Sequence, residues 1–94
     1  MVKLEAITWR AQLEVRERIG LNLQNLRREK GLSQEELAFR SGIHQPYLSG
    51  VERGKRNPTA SVMQRIASAL DSHIEQLVAR RTGYRKDISW SKKG

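Results

Sequence analysis

The chain has 94 residues, room for one domain with one modest core and too few for a separate effector domain. Its 18 basic against 10 acidic side chains give a net charge of +8 and a pI near 10.6, which suits a polyanionic partner: DNA, RNA or an anionic membrane. No apolar run is long enough to span a membrane, none near the N-terminus reads as a secretory signal, and the lack of cysteine excludes a disulfide framework and thiolate zinc sites, so a cytoplasmic location is expected.

Apolar residues recur at spacings of three and four, with few β-branched alternations that would mark a strand, so the chain reads as helical throughout. Residues 1–12 form an N-terminal extension that can continue the first helix backward. That helix is expected from about Leu13 to Lys30, with Ile19, Leu23 and Leu26 on its core face and Gly31 just beyond its end. Ser33 with Glu36 makes an S-x-x-E capping box and starts a second helix at about Ser33 or Gln34. Pro46 is tolerated only in the first turn of a third helix, which places that helix at about Gln45 to Arg53, with Gly54 ending it. Beyond a basic loop from Lys55 to Pro58, Thr59 caps a fourth helix whose Val62, Met63, Ile66 and Leu70 form the inner stripe. A short fifth helix, about His73 to Arg80, offers Ile74, Leu77 and Val78. The domain is therefore taken as residues 13–80, followed by a basic tail over residues 81–94.

Ala38, Gly42 and Leu48, spaced four and then six apart, meet the needs of two short helices crossing at a steep angle. Ala38 is small enough for close approach, and Leu37 beside it adds buried apolar area. Gly42 sits where the second helix must stop, a position that commonly needs the left-handed backbone. Leu48 and Val51, three apart, point back into the angle between the helices. This is the pattern of a helix-turn-helix. The stretches Gly31-Leu32-Ser33-Gln34-Glu35-Glu36-Leu37-Ala38, Ser41-Gly42-Ile43, Tyr47-Leu48-Ser49-Gly50-Val51-Glu52-Arg53-Gly54 and Asn57-Pro58 resemble the phage repressor/Cro (XRE-type) family of regulators, over roughly Val15 to Leu77. Within that family the Tyr47 to Gly54 stretch is similar to restriction-modification controller proteins. The resemblance implies an all-α, compact five-helix bundle of the lambda-repressor-like kind, encoded by a bacterium, phage or plasmid, that regulates transcription by binding double-stranded DNA.

On that reading the third helix enters the major groove, whose width of about 12 Å admits one α-helix. Its outward positions are His44, Gln45, Pro46, Tyr47, Ser49 and Gly50. Gln45 is the candidate base reader, because a glutamine amide can bond an adenine edge with both of its polar atoms. Ser49 can donate or accept, Pro46 can touch a thymine methyl, and Gly50, where relatives place a polar reader, completes the expected base-contact set. Phosphate contacts are expected from Gln34, at a helix start with free N–H groups, and from His44, Tyr47, Arg53, Lys55, Arg56 and Asn57. The resemblance also implies that Arg27 and Glu52 pair across the motif and orient the reading helix.

The module is expected to act as a homodimer on an inverted repeat, with half-sites about one helical turn apart. Ile74, Leu77 and Val78 are the candidate dimer face, the competing reading being that they close the monomer core. No catalytic site, metal or cofactor is expected. Asp71, Ser72 and His73 have a triad's residue types, yet neighbours on a helix cannot face one another, and two histidines without cysteine make a poor metal site. Trp9 and Trp90 read as packing or dimer-contact residues. The stretch from Arg80 onward holds Arg80, Arg81, Arg85, Lys86, Lys92 and Lys93 against Asp87, suited either to nonspecific DNA affinity or to a solubilising end. The alternative to an operator-binding protein is an antitoxin or a protein-protein adaptor built on the same fold.

Overall fold

The structure, a computed structural model, describes residues 4–80, with side chains from residue 11 onward. Among the described residues every regular element is helical: α1 (Leu4–Glu29), α2 (Gln34–Ser41), α3 (Gln45–Glu52), α4 (Ala60–Ala69) and α5 (Ile74–Val78). The expected five-helix, all-α architecture is present. The side chain of Trp9, and Trp90 with the basic tail from Arg81 to Lys93, lie outside what is described.

Helix α1 starts at Leu4 rather than at Leu13, in one continuous run of 26 residues. No proline or glycine interrupts the chain before Gly20, so nothing in residues 4–19 obliges a break. Helix α5 is shorter than expected and spans Ile74–Val78, because the chain turns extended at Ala79 (φ −64°, ψ 144°). The buried amide of Asn22 explains this stop. Its Nδ2 donates to Leu77 O at 2.7 Å and to Ala79 O at 2.9 Å, capturing a terminal helix carbonyl and the extended residue after it.

All five helices contribute to one core. Ile19, Leu23 and Leu26 of α1 meet Leu37 and Ala38 of α2, Leu48 and Val51 of α3, Ile66 and Ala67 of α4 with its C-cap Leu70, and Leu77 of α5, with Ile43 of the turn among them. The fourth helix follows its expected stripe, with Val62 and Met63 half-buried at its rim, and adds the fully buried Ala67. Helix α1 is the spine of the bundle, packing on α3 and on α5, while α2 packs on α3 and α4.

Gly20 explains how α3 comes so close to α1. A Cβ at this position would lie 2.5 Å from Glu52 O and 2.7 Å from Val51 O, closer than any methyl group can sit to a carbonyl. The last turn of α3 therefore rests directly on the α1 backbone.

Candidate nucleic-acid interface

Helix α2 begins with a complete capping box. Ser33 Oγ accepts from Glu36 N–H at 2.9 Å, and the Ser33 N–H donates to Glu36 Oε1 at 2.7 Å. The bond from the Ser33 N–H foremost, and then the Ser33 hydroxyl, hold the Glu36 carboxyl below its ordinary pKa. The helix ends at Gly42 in the left-handed conformation (φ 69°, ψ 25°), and the chain re-enters a helix three residues later, at Gln45. Pro46 sits in the first turn of α3, where its missing N–H costs no helical bond.

This geometry brings the first residues of α2 and α3 together. Gln45 Nε2 approaches Gln34 Oε1 at 3.5 Å, and Gln34 Nε2 donates to Glu52 Oε1 at 3.1 Å. Glu52 is buried and anchors the whole network. The Arg27 guanidinium holds it with both prongs, Nε to Oε2 at 2.7 Å and Nη2 to Oε1 at 3.0 Å, while Arg27 Nη1 donates to Leu32 O at 3.0 Å. The side chains of this pair are 13% and 4% exposed, so both charges are withdrawn from water and need the full set of bonds they have. The bond to Glu52 raises the Arg27 pKa against the opposing effect of burial.

Outward from this network, His44 and Pro46 are exposed and Gln45, Tyr47 and Ser49 half-exposed along α3. Exposed Arg53, Lys55, Arg56 and Asn57 follow directly. Arg53 Nη1 donates to Ser49 Oγ at 3.2 Å, which fixes that hydroxyl against the start of the basic loop. The loop is tied to the helix through the Gly50 carbonyl, which accepts from Lys55 N–H at 2.8 Å and Arg56 N–H at 3.2 Å.

Two of the expected site residues need correction. Gly50 is buried and is not open to a base, because the Arg56 stem folds over it: a Cβ at Gly50 would meet Arg56 Cγ at 2.7 Å. The Arg56 guanidinium then lies 5.9 Å from the Tyr47 ring centroid, in cation–π range. Leu77 is also unavailable for a dimer face, since it is fully buried in the monomer's own core, whereas Ile74 is half-buried and Val78 is 38% exposed.

Gln24 is a contributor that sequence reasoning missed. Its Nε2 donates to Glu52 O at 2.8 Å and caps the last turn of α3. Gly20, Gln24 and Arg27 follow one another at i, i+4 and i+7, so the face of α1 that receives α3 was written as one stripe. The described residues hold no group of three His, Cys, Asp or Glu placed to bind a metal ion, and no helix among them is long and apolar enough to cross a membrane.

The Helix-turn-helix (HTH_3) family model matches residues 23–77, more than half of the chain and the whole of the network above. The chain belongs to this family. It is 52% identical over 64 residues to an HTH-type transcriptional regulator of Sinorhizobium fredii, y4dJ, covering 67% of this chain and 83% of that one. It is 36% identical over 69 residues to the control protein C.SmaI of Serratia marcescens, covering 73% and 82% respectively. Among solved structures, the restriction-modification controller protein C.AhdI from Aeromonas hydrophila superposes with a TM-score of 0.64 at 45% identity, over 66% of this chain and 94% of that one. The fold, the motif and these relatives together make the chain a DNA-binding helix-turn-helix transcriptional regulator.

Proposed function

We propose that this regulator binds an inverted-repeat operator as a homodimer, with one α3 in the major groove of each half-site and the half-sites about one helical turn apart. The observation that carries the reading is the outer face of α3. It presents Gln45, Tyr47 and Ser49 around the exposed Pro46, it is followed directly by Arg53, Lys55, Arg56 and Asn57, and its first residue, Gln45, is steadied by Gln34 at the start of the neighbouring helix. Gln45 is placed to read an adenine edge, with Pro46 and Ser49 beside it. Gln34, His44, Tyr47, Arg53, Lys55, Arg56 and Asn57 would position the module on phosphates, and Arg27 with Glu52 would hold the reading helix at its angle.

Ile74 and Val78 form the proposed dimer contact, on the α5 side of α1 rather than the α3 side. The control protein and restriction-modification controller among the relatives support a regulatory role for this chain. The test is selection of bound duplexes from a random library at near-physiological salt, where nonspecific charge binding is suppressed. A palindromic site occupied by two protomers is the expected result. Weak enrichment with no symmetric site would overturn operator binding by a dimer and bring forward the antitoxin or adaptor role.

A further inference from the structure

The turn between α2 and α3 is gripped by a residue from outside the motif. Arg65, in the middle of α4, reaches across to the end of α2, where its Nε donates to Ser41 O at 3.2 Å and its Nη2 to Gly42 O at 2.6 Å. Two consecutive carbonyls at the negative end of a helix are thus held by one cation. The seat is shaped for it, because a Cβ at Gly42 would lie 2.8 Å from Arg65 Nη2. Gly42 thus supplies the left-handed backbone of the turn, and its missing side chain leaves the space that the guanidinium occupies.

We infer that Arg65 is a positioning residue for sequence reading: it fixes the α2–α3 turn, and with it the angle at which α3 meets DNA, without touching DNA itself. This rests on the operator-binding reading above. The three residues that separate the helices, Gly42, Ile43 and His44, lead straight into Gln45, so a shift of the Gly42 peptide is passed to the reading side chain. Helix α3 is held at its other end by Gln24 and by its rest on Gly20, so it is gripped at both ends. The Ser41 hydroxyl donates back to Leu37 O at 2.7 Å within α2, so it is the Ser41 carbonyl that links α2 to α4. The restraint on the turn from α4 comes from the planar fork of an arginine, which a lysine cannot reproduce.

Arg65→Lys conserves the charge and removes the fork, which separates positioning from electrostatics. Affinities of wild type and R65K would be measured for the selected duplex and for a scrambled duplex of equal length, alongside thermal unfolding of the free proteins. The expected result is a loss of about tenfold on the selected duplex, with scrambled-duplex affinity unchanged within about twofold and R65K folded. An equal loss on both duplexes, or no loss on either, would overturn the role of Arg65 while leaving operator binding intact. If wild type itself fails to distinguish the two duplexes, the operator reading falls and the inference falls with it.

Discussion

Glu52 shows how much can rest on one side chain. Its carboxylate accepts from Arg27 and Gln34, its backbone carbonyl accepts from Gln24, and it is the last residue of the reading helix. One residue thereby ties α3 to α1 and to the start of α2. Glu52→Ala would leave the Arg27 guanidinium buried without its counter-charge, and is expected to cost about 3 kcal/mol or more in urea unfolding. A loss below about 1 kcal/mol would mean that the pair is solvated like a surface salt bridge. The pairing was legible in sequence only through family resemblance, because residues 25 apart in the chain carry no local signal of contact. Gln24 and Arg65 were not legible at all. Each is a polar residue on an amphipathic helix, and what makes each informative is a backbone carbonyl delivered to it by a distant turn.

At the scale of the element, boundaries set by specific side-chain chemistry were readable and those set by tertiary contact were not. The capping box at Ser33 and Glu36, the Gly42 stop and Pro46 near the start of α3 fix their helices by local rules, and these helices fall where the sequence places them. Helix α5 ends early because Asn22 captures its terminal carbonyls from across the bundle, which no local pattern announces. Local capping also gives α2 a pH dependence of known sign. The folded Glu36 pKa lies below its unfolded value, so the stabilisation is complete above the unfolded pKa and is lost as pH falls through the folded pKa. The difference in melting temperature between wild type and Glu36→Ala should therefore shrink as pH is lowered from 7 toward 3. A difference that stays constant across this range would show that the ionised carboxylate is not what caps the helix.

In the molecule as a whole, α1 joins the two surfaces that the proposed function requires. One side of it holds the end of α3 through Gly20, Gln24 and Arg27; elsewhere along it Arg18 Nε donates to Val78 O at 3.1 Å, and Asn22 holds the end of α5. In a dimer formed through Ile74 and Val78, the distance between the two reading helices would be set by this single helix rather than by a flexible linker. Such coupling suits recognition of half-sites at one fixed spacing. The net charge of +8 supplies attraction to any duplex, so affinity alone says little about function, and discrimination between sequences is the quantity that matters. The most direct measurement is titration of wild type and Gln45→Ala against the selected duplex and a scrambled one at near-physiological salt. Readout by Gln45 predicts that the variant loses about tenfold or more on the selected duplex and nothing on the scrambled one. Equal binding of both proteins to the selected duplex would contradict base reading from the first turn of α3.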